Sequence, residues 1–277
     1  MTGRRLAVLV AGALVAVVAG CGRRPGDPAR LVLATTTSVR DCGLLDALVP
    51  AFERETGLRV APIAVGSGEA LRMGRDGNAD LLLVHDPEGE AALQAEGLVA
   101  EDLEVFRSRF VVVGPAADPA AVAGAGGAAA VFRALGAGRA PFVSRGDDSG
   151  TYRLERRLWS AAGVSPEGQP WYVSVGAGMM HALRVANERQ AYCLADLATW
   201  LAGKRDFDLA LLVDSGDPDW ANIYSVLRLS PGRFGSLNHE GARRFRDFLV
   251  RGAGHEILRR FGAAEFGRPV FTLPADP

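Results

Sequence analysis

Lysine is almost missing from this chain: of 31 lysine and arginine residues, only Lys204 is a lysine. The bias is compositional, so no arginine is informative merely for being one. Excess charge is missing as well. The formal net charge is −1 with 23% charged residues, and without surplus cations there is no surface to track a phosphate backbone, which argues against nucleic-acid binding. Three cysteines cannot build a disulfide framework, and no Cys/His pair has zinc spacing. No period of about 20 to 50 residues recurs, so solenoids and propellers are set aside.

What is present is an ordinary soluble composition, 277 residues with 48% hydrophobic, enough for one large domain or two of medium size. The N-terminus stands apart. Arg4 and Arg5 precede an apolar run, Leu6 to Gly20, that is too short to span a bilayer as a mature helix, and Val18-Ala19-Gly20-Cys21 follows. That tetrapeptide resembles a bacterial lipobox, which implies a signal peptide over 1–20, lipidation of Cys21 and a polar tether over 21–29. The mature protein is then expected outside the cytoplasm, anchored to a membrane by its acyl chains with the folded part in water. ATP- and NAD-dependent chemistry is not expected there, nor is any cofactor.

Beyond the tether, strand, turn and helix alternate, predicting parallel sheets covered by helices. Expected strands are Arg30 to Ala34, Arg59 to Val65, Ala79 to His85, Phe110 to Gly114, Pro141 to Ser144, Trp171 to Ser174, Ala191 to Leu194, Leu209 to Val213 and Ile223 to Leu229. Helical spacing of Leu44, Leu45, Leu48, Val49 and Phe52 predicts a helix kinked or broken at Pro50. The Ala/Gly-rich stretch 116–138 reads as a loose surface helix at Ala128 to Leu135, and His239 to Phe261 as a long helix broken near Gly252. Two α/β lobes joined by two crossings fit best: residues 30–113 with 222–277, and residues 114–221. The four tryptophans read as packing rather than a ligand platform. Cys42 and Cys193 fall in different lobes and are expected unbonded.

Chemistry concentrates in hydroxyl- and glycine-rich turns ahead of helices. Thr35 to Ser38, Gly66 to Gly68 and Ser144 to Thr151 each follow a predicted strand, where unpaired helix N–H groups favour anions. The competing reading is plain helix capping. An enzyme reading makes Ser149 a hydrolase nucleophile, but an inserted aspartate spoils the loop, and His85, His181, His239 and His255 are scattered.

Taken together, Leu31-Val-Leu-Ala-Thr-Thr-Thr-Ser38, Ala64-Val-Gly-Ser-Gly68, Ala79-Asp-Leu-Leu-Leu-Val-His85, Ser144-Arg-Gly-Asp-Asp-Ser-Gly-Thr151 and Gln190-Ala-Tyr-Cys-Leu-Ala-Asp196 resemble the tungstate-binding lipoproteins of ABC importers. The resemblance implies a two-lobed type II periplasmic-binding-protein fold with two crossover strands and the ligand in the interlobe cleft. It also implies tungstate as ligand, a permease and its ATPase as partners, and a monomer. Molybdate, sulfate or phosphate are the alternative ligands. By matching position, Thr36, Thr37, Ser38, Ser67 and Gly68 would donate from the first lobe, and Arg145, Ser149, Gly150 and Thr151 from the second. Met179 would contribute at most a backbone donor. Tyr152 and Cys42 depart from the family, which often has histidine and serine there. Tungstate accepts hydrogen bonds and donates none, so donors alone suit it. Asp147 and Asp148 are therefore expected to turn away or to orient Arg145.

Overall fold

The run Leu31, Val32, Leu33 is buried on both faces, as a central strand requires. It forms β1 (Arg30–Thr36), paired in parallel with β2 (Arg59–Val65) and β3 (Leu81–Val84). The computed structural model describes residues 30–274; the expected signal peptide, Cys21 and the expected tether lie outside the described residues. Helices α1 (Thr37–Asp41), α2 (Leu44–Thr56), α3 (Ser67–Arg75) and α4 (Pro87–Ala95) link these strands or follow them.

Helix α2 continues through Pro50, so the proline does not break it. The proline faces solvent while Leu44, Leu45, Leu48 and Phe52 pin the opposite face to the core, and that burial outweighs one missing backbone hydrogen bond. The interruption lies earlier, at Cys42-Gly43, between α1 and α2.

Strand β4 (Val99–Gly114) is far longer than the expected Phe110 to Gly114. Its first two-thirds carry Glu101, Asp102, Glu104, Arg107 and Arg109, which disguise the strand, and these residues pair antiparallel with β9 (Ala221–Leu229). Between them the chain lays down α5 (Ala128–Ala137), β5 (Phe142–Ser144), α6 (Gly150–Ala162), β6 (Tyr172–Ser174), α7 (Met179–Arg189), β7 (Tyr192–Asp196), α8 (Leu197–Gly203) and β8 (Ala210–Val213).

The nine strands run β2-β1-β3-β9-β4-β7-β5-β6, with β8 also on β4. The sheet is mixed, not purely parallel. β1 to β3 are parallel, as are β5, β6 and β7, but β9 is antiparallel to β3 and β4, and β4 to β7 and β8. The antiparallel pairing arises because β4 and β9 carry the chain out and back side by side. β4 serves both halves: residues 99–109 lie along β9, and Phe110–Val113 along β7.

Helix α5 is not a loose surface helix. Ala128, Val131, Phe132 and Leu135 are buried against Phe142 and Trp159. Trp159, Trp200 and Trp220 are core residues, as expected. The C-terminal helices α9 (His239–Arg251) and α10 (Ala253–Arg260) part at Gly252, and a short α11 (Ala263–Phe266) follows. Among the described residues no helix is long and apolar enough to cross a membrane.

Candidate functional site

Thr36 is the N-cap of α1, yet its hydroxyl caps nothing and lies 3.0 Å from Ser38 Oγ. Thr37 Oγ1 is buried without a partner. At α3 the N-cap is Gly66, and the buried Ser67 hydroxyl that follows is likewise unpartnered. Buried hydroxyls are ordinarily hydrogen-bonded, so these are not caps. Ser149 behaves differently. Its oxygen accepts from Tyr152 N at 3.2 Å and caps α6, while its proton goes to Asp147 at 2.6 Å.

Arg145 follows β5 and is only 2% exposed. One guanidinium nitrogen pairs with Asp147 at 2.6 Å, and its Nε has no partner. Asp147 thus joins Arg145 to Ser149, as the orienting reading anticipated. Thr151 Oγ1, on the first turn of α6, is also buried and unpartnered. Met179 opens α7 with its side chain in the core, leaving only its amide for a guest.

The two halves meet tightly here. The Gly68 amide, expected to be a free donor, instead donates to the Asp148 carbonyl at 3.1 Å. A Cβ on Gly68 would overlap the Asp148 carboxylate, which would have to swing aside to admit it. Asp148 turns outward to Arg72 at 2.8 Å and Arg153 at 2.6 Å. Arg153 also pairs with Asp86, and Arg157 with Glu88 at 2.9 Å. Gly178 lies against Thr37, its would-be Cβ 3.5 Å from Thr37 Oγ1.

Sequence reasoning missed His85. It follows β3 at the same carboxyl edge, which was the available signal. It is buried, with Nε2 3.4 Å from Ser38 Oγ and its ring 4.6 Å from that of Tyr224, and its Nδ1 has no partner. Burial first, then the nearby Arg145 charge, hold its pKa down to about 3, against a smaller opposing pull from Asn222. The ring is therefore neutral at ordinary pH. Cys42 and Cys193 are free. Burial, then Asp196, push the Cys42 thiol far up, so no thiolate faces the donors.

Glu155, on α6 beneath the Arg145 turn, is buried and accepts from the Tyr172 hydroxyl at 2.7 Å and Trp159 Nε1 at 3.3 Å. Burial raises its pKa from 4.5 to about 7 despite these bonds. The folded state then binds the proton more tightly than the unfolded one, so this contribution to stability is complete below about pH 4.5 and is lost as pH rises through about 7. Its size is at most about 3 kcal/mol. Glu90, raised to about 8 by burial and then Asp102, adds a slope of the same sign. Melting curves between pH 5 and 8 should show Glu155→Gln with a shallower decline than wild type; an unchanged slope would assign the decline elsewhere.

Buried donors gathered where two halves of a mixed sheet face each other, with two strands running between the halves, define a solute-binding protein. The chain belongs to the PBP superfamily, matching that domain over residues 23–252. It is 39% identical over 250 residues, 87% of this chain and 85% of the other, to the tungstate-binding protein TupA of Peptoclostridium acidaminophilum. Among solved structures it resembles the tungstate ABC transporter of Geobacter sulfurreducens, at TM-score 0.75 and 38% identity over 82% of this chain and 97% of that one. It also resembles the tungstate-binding protein TupA of Desulfovibrio alaskensis G20, at TM-score 0.76 and 37% identity over 89% and 99%.

Proposed function

We propose that this chain is the extracytoplasmic substrate-binding protein of an ABC importer, and that its cargo is tungstate. The observation that carries the reading is that, of the eleven buried side-chain polar atoms without a partner among the described residues, four lie on the turns singled out above: Thr37 Oγ1, Ser67 Oγ, Arg145 Nε and Thr151 Oγ1. All four belong to residues that the sequence resemblance assigns as ligand donors. Thr36, Ser38, Gly150 and the Met179 amide complete the lining. Ser149 serves it indirectly, through Asp147, and Gly68 through its contact with Asp148. Residues 30–113 with 222–277 form one lobe and 114–221 the other, with the end of β4, Phe110–Val113, reaching across to the second lobe's strands, and the guest lies between them.

The chemistry favours a fully deprotonated oxyanion. A site for hydrogen phosphate needs an acceptor for the ligand's proton, and the Asp147 carboxylate is already engaged by Arg145 and Ser149. Tungstate is preferred over molybdate on relatedness, since the two differ little in shape. Six to eight charge-assisted hydrogen bonds at roughly 1.5 to 3 kcal/mol each, less several kcal/mol for ordering and closure, leave about −8 to −12 kcal/mol, or submicromolar to nanomolar binding. A hydrolase using Ser149 is disfavoured, because that hydroxyl donates to a carboxylate and caps a helix. The protein works as a monomer, anchored through a lipid on Cys21, and delivers its cargo to a membrane permease driven by a cytoplasmic ATPase.

A melting-temperature panel with tungstate, molybdate, sulfate and phosphate tests the reading. Ligand bound by the native state alone raises the midpoint in step with affinity. Tungstate should give the largest shift and phosphate little or none. No shift with any of the four sinks the proposal.

A further inference from the structure

His85 is unexplained by packing alone. A side chain only 4% exposed keeps Nδ1 without a partner, in a core where buried polar atoms are ordinarily satisfied. The opposite nitrogen is engaged. Asn222 Nδ2 donates to the Tyr224 hydroxyl at 3.3 Å, and that hydroxyl donates to Ser38 Oγ at 3.4 Å. The Thr36 hydroxyl lies 3.0 Å from the same oxygen and can donate to it as well. Ser38 keeps its own proton, and we take it to donate to His85 Nε2, 3.4 Å away. A neutral ring that accepts at Nε2 carries its proton on Nδ1.

The direction of that N–H matters. A Cβ on Gly150 would stand 3.2 Å from Nδ1, so this ring edge lies against the first turn of α6. The amides of Gly150 and Thr151 have no intrahelical acceptor there, whereas Tyr152 N is capped by Ser149. Thr151 Oγ1 is unpartnered beside them. The His85 edge and the first turn of α6 thus face each other across the two halves.

We infer that His85 is a ligand-contacting, specificity-determining residue: a neutral imidazole whose Nδ1–H donates to the bound oxyanion alongside the free amides that open α6. The inference rests on the oxyanion reading above. The low basicity of the ring agrees with it, since affinity gains a donor at this position without gaining a charge. It also makes the site selective, because Nδ1 with its proton cannot receive one from hydrogen phosphate.

Asparagine places its amide nitrogen near Nδ1, whereas glutamine reaches toward Nε2. Tungstate titration calorimetry is therefore run on wild type, His85→Asn, His85→Gln and His85→Phe, each first checked for fold by its anion-free melt. His85→Asn should bind within about fivefold of wild type, and the Gln and Phe variants about 10- to 100-fold more weakly. Two-bond nitrogen–proton spectra of the wild-type protein should independently show His85 protonated at Nδ1, with that signal moving on tungstate addition. Phe binding as well as wild type, rescue by Gln but not Asn, or a proton on Nε2 overturns the inference and leaves the oxyanion reading standing. A wild-type protein that binds no oxyanion overturns both.

Discussion

Arg145→Ala should weaken tungstate binding about a hundred- to a thousandfold, the largest loss expected of any single side-chain truncation here. The guanidinium is 2% exposed and follows β5, with one nitrogen on Asp147 and Nε unpartnered. Removing it takes a full positive charge from a dianion held away from water. It also strips Asp147, 18% exposed, of its counter-charge and leaves that carboxylate to repel the guest. Breaking such a buried pair costs about 3 to 5 kcal/mol, and each 1.4 kcal/mol is roughly a factor of ten. Arg145→Lys restores the charge without the planar fork and should recover only part of the loss. Calorimetry decides: unchanged affinity in the alanine variant would remove Arg145 from the site. The anion-free melt of each variant separates this from a failure to fold.

The second large effect comes from adding a single methyl group. Gly150 opens α6, where alanine is the better helix former, so on local grounds Gly150→Ala should be neutral or slightly stabilising. A Cβ there would stand 2.6 Å from the His85 carbonyl oxygen, and that atom belongs to the backbone at the end of β3. A main-chain oxygen cannot step aside as a flexible side chain can. The halves must then stay apart by some tenths of an ångström, which lengthens every hydrogen bond made to the ligand from both sides. Expected is about a hundredfold loss of tungstate affinity, or about 2 to 3 kcal/mol, with an anion-free melting point at or above that of wild type. Wild-type affinity in Gly150→Ala would show that binding does not need this contact.

The alternation of strand and helix was legible because each element carries its own burial pattern. The three turns were legible because a hydroxyl or glycine ahead of a helix is a local signal. What escaped was non-local. The first two-thirds of β4 are hard to read because charged residues sit on a strand whose partner, β9, lies more than a hundred residues later. Pro50 does not end α2 because it stands exposed while Leu44, Leu45, Leu48 and Phe52 are buried and hold the helix to the core. For Gly68 and Ser149 the sequence shows a donor but not its partner: the first meets the Asp148 carbonyl and the second the Asp147 carboxylate. His85 looks isolated along the chain, because its neighbours Ser38, Tyr224 and Gly150 come from three distant segments.

The sixteen residues of β4 serve as a common ruler for the whole molecule. Side chains alternate along a strand. A slip of one residue would therefore turn Phe106 away from Tyr224 on the β9 side and exchange Val111 and Val113 with Phe110 and Val112 between the two cores on the β7 side. The irregularities of β4 against β9 fall at Val99/Glu101 and Glu104/Phe106, so from Phe106 to Val113 a single register is shared by the two halves and each half's assembly checks the other's.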